Sequence, residues 1–158
     1  MSYFPTVDEN ETNEQATAEN ITAIPTEDSK PAEKPKRRPF AIWSVGGTDY
    51  KLRLSTEAIA ELEGRYKTNL LNLMATEGEA LPAMSIMLDV AFAAIKKYNH
   101  GISRKDMFSL FDRYVDEGGS QLRFYTDVFT DIFAVSGFFT TEAAEALRTE
   151  MQDIRDRM

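Results

Sequence analysis

Two pairs of aspartates are the strongest candidates for chemistry in this sequence. Asp112 and Asp116 are four residues apart, and so are Asp127 and Asp131. In a helix this spacing places both carboxylates of a pair on one face, as paired-carboxylate catalysis requires. A solvated helix face has the same spacing and explains both pairs more simply. We therefore predict no catalytic residue and do not expect an enzyme.

Metal and cofactor sites lack their sequence signatures. The chain has one histidine, His100, and no cysteine, which excludes the usual zinc motifs, and the glycine-rich phosphate-binding patterns are absent. His100 follows a predicted helix, where we expect it to act as a cap. Residues 103–114 resemble a helix of an EF-hand, but Gln121 replaces the glycine that the calcium loop requires. We predict no metal and no cofactor.

Composition divides the chain into an N-terminal arm and a folded part. Residues 1–38 contain four of the six prolines and only two aromatic residues, so we predict that this arm is disordered. Residues 1–29 contain seven acidic residues and no basic residue, which gives them a charge of −7. Since the whole chain carries −8, the remainder carries −8 − (−7) = −1. The folded part is nearly neutral, so we expect no nucleic-acid partner.

A short basic cluster closes the arm. Five basic residues lie between Lys30 and Arg38, and the run KPKRRP covers 34–39. Such a run can be a nuclear import signal or a phosphate-binding patch. Because it follows an acidic arm, we interpret it as a linker that balances charge locally.

The size and composition of the remainder predict one domain, residues 39–158. About 120 residues are enough to bury roughly two thirds of the surface that the unfolded chain exposes. The first 25 residues lack the pattern of a secretory signal, and no apolar stretch approaches the length of a membrane span. We expect a soluble intracellular protein with no membrane partner.

Residues 40–54 predict a β-hairpin that leads directly into a helix. Apolar and polar residues alternate from Tyr50 to Leu54, and Gly46 and Gly47 supply the positive φ that a tight turn needs. Ser55 then begins a helix with an apolar stripe. Because a lone hairpin is marginal in water, Trp43 and the inward residues of the second strand must pack on helices.

The rest of the sequence predicts helices. Asn69 begins a short helix, and residues 76–80 form a loop. Pro82 begins a central helix over 83–98 with a left-handed cap near Gly101, since its apolar residues cover nearly every direction. Ser103 and Asp106 begin a fourth helix with a capping box. Further helices follow over 120–135 and 141–158.

The predicted fold is therefore mainly α, with an N-terminal β-hairpin packed on a compact bundle of five to six helices. The C-terminal amphipathic helix, 141–158, has an apolar seam with alternating spacings of four and three residues. Its members are Ala143, Leu147, Met151, Ile154 and Met158.

The order of these motifs resembles one protein family. The hairpin leading into YKLRLSTEAIAELE is followed by NLLNLM, by an apolar helix closing in KKYNHGIS, by DMFSLFDRYVDEGG and by a helix ending in SGFF. This order is similar to that of the tail assembly chaperones of long-tailed, siphophage-type bacteriophages and prophages. The resemblance covers residues 40–139 and leaves out the acidic arm.

The resemblance implies a non-enzymatic assembly factor in the cytoplasm of a bacterial host. Such chaperones bind the helical tape measure protein, keep it soluble while tube subunits polymerise, and are absent from the mature virion. Many are made in two lengths by frameshifting, and the longer form is thought to recruit the tail tube protein. This chain resembles the short form.

Five residues are candidates for self-association or client binding: Phe138, Phe139, Leu147, Met151 and Ile154. They extend beyond what a five-helix core requires, although they could equally form the sixth element of that core. We expect the acidic arm to keep the chaperone soluble and to compete for basic client segments. Three alternatives stay open: a structural subunit of the tail or connector, a non-phage helical adaptor, and an enzyme with an unrecognised site.

Overall fold

The computed structural model describes residues 36–74 and 81–158. Two strands, β1 (Ala41–Val45) and β2 (Thr48–Leu52), precede six helices. The helices are α1 (Thr56–Tyr66), α2 (Leu70–Met74), α3 (Met84–Ile95), α4 (Arg104–Asp116), α5 (121–135) and α6 (Thr141–Arg157). The predicted mainly-α fold with an N-terminal hairpin is confirmed. Residues 1–35 of the arm that is predicted to be disordered, 1–38, and the predicted loop at 76–80 lie outside the described residues. The prediction is wrong for the end of the arm, where Arg37 and Arg38 make hydrogen bonds to the domain.

The hairpin forms where the sequence predicts it. β1 and β2 pair antiparallel, with Trp43 opposite Tyr50 and Val45 opposite Thr48. Only Gly46 and Gly47 separate the last pair, and their φ angles are 62° and 77°. A two-residue turn with positive φ at both positions matches the twist of the flanking strands, which explains the two glycines.

The inner face of the hairpin packs on helices, as predicted. Ala41, Trp43 and Val45 alternate inward along β1 and are buried. The indole ring of Trp43 meets the ring of Phe124 from α5 at 5.1 Å between centroids and that of Tyr114 from α4 at 5.8 Å. The central helix α3 contacts β2, α1, α4 and α5. The core therefore lies where the hairpin and three helices meet.

The predicted caps at the helix starts are confirmed. The side chain of Ser55 accepts a hydrogen bond from the amide of Ala58, and that of Ser120 accepts one from the amide of Arg123. Ser103 and Asp106 form the complete capping box of α4, which lowers the pKa of the Asp106 carboxyl through the hydrogen bond from the Ser103 amide. Each cap supplies an acceptor to an amide that has no partner within its helix.

The ends of α3 differ from the sequence prediction. The helix begins at Met84, so Pro82 precedes the capping residue instead of lying in the first turn. It ends at Ile95 rather than at residue 98, and no left-handed cap forms at Gly101. The amides of Tyr98 and Asn99 both donate to the Ile95 carbonyl, at 3.1 and 2.9 Å. These turn-type bonds close the helix without positive φ, so the glycine cap is not required.

Removing the capping box of α4 tests the account of the helix starts. We expect Ser103→Ala to lower the free energy of unfolding by about 1 kcal/mol, because the Asp106 amide loses its acceptor. Ser109→Ala is the matched control, since Ser109 is exposed in the middle of the same helix. It should change stability by less than about 0.5 kcal/mol. Urea unfolding compares the two, and equal effects would contradict the capping account.

Candidate functional site

A groove between α5 and α6, which we call the α5–α6 groove, contains four of the residues that the sequence singles out: Asp127, Asp131, Leu147 and Met151. Its cavity has a volume of about 240 Å³. α5 contributes Thr126, Asp127, Thr130, Asp131 and Ala134, and α6 contributes Leu147, Arg148, Met151, Gln152 and Arg155. Three of these ten residues are apolar, Ala134, Leu147 and Met151, and the other seven are polar or charged.

The α5 wall contains a π-helical turn that the sequence prediction missed. α5 is α-helical over Gln121–Phe124, π-helical over Tyr125–Phe129 and α-helical again over Thr130–Val135. The Thr130 amide donates to the carbonyl of Tyr125, five residues back, instead of to that of Thr126. The Thr130 hydroxyl donates to the Thr126 carbonyl instead, at 2.9 Å. π-Helical turns occur often at functional sites, so this wall is a reasonable place to seek one.

The two predicted aspartate pairs have different surroundings. Asp112 and Asp116 are both exposed on α4, as the solvated-face interpretation expects. Asp127 and Asp131 line the α5–α6 groove, and each pairs with arginine. Their carboxylates are therefore already held by cations.

Each groove carboxylate has its own arginine partners. The guanidinium of Arg38 forms two hydrogen bonds with the Asp131 carboxylate, and this contact raises the pKa of Arg38. Asp127 lies 3.8 Å from Arg123 and 3.9 Å from Arg155. These pairs neutralise the carboxylates and leave Arg148, which takes part in none of the ion pairs among the described residues.

The basic linker differs from its prediction at its last residues. Arg37 donates to the carbonyl of Ala134 at 3.1 Å and to that of Phe139 at 2.5 Å, and Arg38 pairs with Asp131. Both guanidinium groups thus contact the C-terminal part of α5 and the loop after it, where carbonyls lack partners within the helix. The part of the linker that is described therefore attaches to the domain, which the sequence did not predict.

The five candidate residues fall into two groups. Phe138 and Phe139 are half-buried against the main core, and the Phe138 ring lies 4.9 Å from that of Phe133. Leu147, Met151 and Ile154 are half-buried on α6 but do not belong to the hydrophobic cluster of the described core. The structure therefore separates two core-packing phenylalanines from three half-buried residues of α6 that lie outside the core cluster.

The seam of α6 differs from the prediction at both ends. Ala144 is buried where the seam predicts Ala143, and Met158 is 57% exposed. The face toward α5 runs from Ala144 through Leu147 and Met151, at steps of three and four. The last helical turn projects past that contact, so Met158 gains no partner from the seam.

A second groove, between α1 and α3, contains a charged residue that the sequence analysis missed. Its volume is about 530 Å³, and exposed His100 contributes to its lining. Asp89 of α3 is only 6% exposed, and it accepts a hydrogen bond from the Tyr66 hydroxyl and lies 2.8 Å from Arg104. The sequence contained one signal for this site, a single aspartate within the apolar run of α3. An aspartate that is buried there requires hydrogen-bonding or charged partners.

The fold is a mainly α-helical domain with an N-terminal hairpin, and the α5–α6 groove lies on its surface. A family model matches residues 40–156, and the chain belongs to that family, DUF6096, a family of unknown function. No curated protein and no solved structure matches the chain.

Within residues 36–74 and 81–158, no helix is both long and apolar enough to cross a membrane. No group of three or more potential metal ligands lies together in the same ranges.

The π-helical turn gives a direct prediction about Thr130. Thr130→Val should lower the free energy of unfolding by about 1–3 kcal/mol, because the buried Thr126 carbonyl loses its donor. Thr149→Val is the matched control: its hydroxyl makes the equivalent bond to the Glu145 carbonyl at 3.0 Å on the exposed face of α6. Water can replace that bond, so the control should cost less than about 0.5 kcal/mol. Chemical denaturation measures both, and equal losses would show that the π-helical turn does not depend on this hydroxyl.

The Tyr66–Asp89 contact predicts a loss of stability in alkali. Burial, followed by the hydrogen bond to Asp89, raises the pKa of Tyr66 from 10.0 to about 12. Folding thus favours the neutral phenol, so this stabilisation is complete below pH 10 and is lost as pH rises toward 12. Tyr66→Phe should remove this part of the pH dependence, measured by urea unfolding at about pH 9 and about pH 11. Tyr98→Phe is the control, because the Tyr98 hydroxyl lies near a backbone carbonyl and not near a carboxylate. Identical pH dependence in both variants would disprove the assignment.

Proposed function

We propose that this chain is a tail assembly chaperone that binds a tape measure protein and keeps it soluble while the tail tube polymerises. The order and spacing of its motifs over residues 40–139 support the proposal. The family model that matches residues 40–156 assigns no activity. The chaperone resembles the short form of a frameshifted pair and acts in the cytoplasm of the bacterial host.

One observation suggests which surface binds the client. Leu147, Met151 and Ile154 follow each other at spacings of four and three on α6, and all three are only half-buried. They lie outside the described core cluster, so the domain does not need their remaining surface for its own packing. An apolar stripe beside a groove is how helix-binding proteins receive the apolar face of a partner helix.

The α5–α6 groove offers both apolar and charged side chains to a client. Its lining includes Ala134, Leu147 and Met151 together with Arg148 and Arg155. A tape measure protein presents repeated apolar stripes, so many copies of a chaperone can bind along it with modest individual affinity. Self-association and recruitment of the tail tube protein through a longer form are the further partners of this proposal.

Co-expression with the largest helical protein encoded downstream in the same genome tests the function. We expect the client to become soluble and to elute with several copies of this chain in size exclusion. An insoluble client with this chain eluting alone would contradict the proposal. Presence of the chain in purified virions would favour the structural-subunit alternative instead.

Matched charge substitutions on α6 test the surface. Leu147→Asp with Ile154→Asp should reduce client binding at least tenfold, because carboxylates replace the apolar contacts. Ala143→Asp with Ala146→Asp adds the same charge at exposed positions of α6 and should leave binding within about twofold. Circular dichroism checks that both variants fold. If both pairs bind client like the original chain, the groove is not the client site.

A further inference from the structure

The outer edge of β1 has backbone hydrogen-bonding groups without partners. Val45 and Thr48 flank the two-residue turn and form a hydrogen-bonded pair, and every second pair along the ladder is of this kind. Ile42 and Ser44 lie in the pairs between, so their amides and carbonyls point away from β2. None of the hydrogen bonds between described residues uses these four groups. The Nε1 donor of Trp43, which lies between them, also has no partner in the same residues.

This edge borders a groove of about 440 Å³, which we call the β1 groove. Residues 42–44 line one side of it, and the end of α4 and the start of α5 line the other. The amide of Gly46, two residues beyond Ser44 and on the same edge, donates to the Glu117 carboxylate at 2.6 Å. Glu117 also lines the groove, so the unused groups of Ile42 and Ser44 face this groove.

The sequence of β1 does not protect its edge against pairing with another strand. Edge strands are usually protected by charged residues, by proline or by a bulge, and β1, with the sequence AIWSV, has none of these. The neighbouring strand β2 differs, because Asp49 and Lys51 lie on its own outer edge. An unprotected edge with free amides and carbonyls is the surface to which an extended peptide adds as a further strand.

The charges that line the β1 groove are compensated. Its two carboxylates, Glu117 and Asp127, are matched by two guanidinium groups, those of Arg123 and Arg155. Glu117 pairs with Arg113, and Asp127 pairs with both of the lining arginines. A charged segment would lose hydration here without meeting an unpaired charge of opposite sign. The lining is therefore electrostatically complementary to an uncharged segment.

We propose that the β1 groove binds an uncharged, extended segment of another protein as an antiparallel third strand. Two of its residues pair with Ile42 and Ser44, and the apolar residue between them lies on the same face as Trp43, toward Tyr114 and Val128. A second folded copy would bring its own α4–α5 wall beside its β1, so two walls would compete for one groove. A single extended segment avoids this conflict. The inference does not rest on the proposed function, since the apolar stripe of α6 does not line this groove.

A short uncharged peptide, acetyl-TTVTT-amide, tests the site on the full-length chain. Its valine should lie opposite Trp43, and its second and fourth residues should pair with β1. Titration should shift the NMR signals of the Ile42 and Ser44 amides and slow their hydrogen exchange, because both amides gain an acceptor. The amides of Asp49 and Lys51, on the opposite edge of the hairpin, are the internal controls and should not respond.

Matched changes in the peptide and in β1 test the backbone pairing. N-methylation of the second and fourth peptide residues removes the donors to β1 and should weaken binding at least about fivefold. N-methylation of the valine leaves those donors and should keep the affinity within about twofold. Ser44→Pro removes an edge donor but no ladder bond, so it should fold and bind more weakly. Ser44→Ala, which also loses the side-chain bond to Asp49 but keeps the amide, should bind like the original chain.

Three results would overturn the proposal. The first is equal binding of the two N-methylated peptides, which decides the question even if Ser44→Pro does not fold. The second is no response of Ile42 and Ser44 at the solubility limit of the peptide. The third is protection of these amides without peptide in a chain that elutes as a dimer, because a second copy would then occupy the edge. Peptide binding here with no soluble client would leave this proposal standing and would contradict only the chaperone proposal.

Discussion

The structure depends on burying one face of a two-stranded hairpin that could not be stable alone. Trp43 is 1% exposed between α4 and α5, and its Nε1 has no hydrogen-bond partner among the described residues. A buried tryptophan stabilises by roughly 4–6 kcal/mol through its apolar area, against about 1–3 kcal/mol for an unsatisfied donor. Apolar burial therefore outweighs the lost hydrogen bond, and it fixes the positions of both helices against β1.

This packing has consequences for the groove. Phe124 belongs to the first turns of α5 and is held by the indole ring, while Ile132 and Phe133 at the other end are fully buried in the same core. The π-helical turn lies between these two anchored ends. An extra residue in that turn changes which side chains face α6, and the Thr130 hydroxyl satisfies the carbonyl that the change leaves without its amide. The groove wall is thus a product of core packing on both sides of it.

Sequence patterns predict the hairpin, the caps and the number of helices because each depends on local chemistry. Paired glycines supply the positive φ that a tight turn requires. Ser103 and Asp106 accept hydrogen bonds from two backbone amides at the start of their own helix. The π-helical turn and the partners of Asp89 depend on residues distant in sequence, which no local pattern contains. Of the candidate residues, Leu147 and Met151 both line the groove. The sequence could predict this, because residues four apart in a helix share a face. Arg37 and Arg38, which contact Ala134 and Asp131 in the α5 wall, come from the end of the arm, where composition alone predicts only a linker.

The composition of the groove also limits how tightly it can bind. Leu147, Met151 and Ile154 are already half-buried, so a partner helix removes only the remaining apolar surface from water. The rim charges gain little, because exposed ion pairs contribute about 0–1 kcal/mol and Asp127 and Asp131 already have partners. Binding in this groove would therefore be weak for each copy, and under the proposed function strong retention of a client requires many copies along one chain. The proposed chaperone has to be displaced by polymerising tube subunits, so weak single contacts would be an advantage, since copies could leave one at a time.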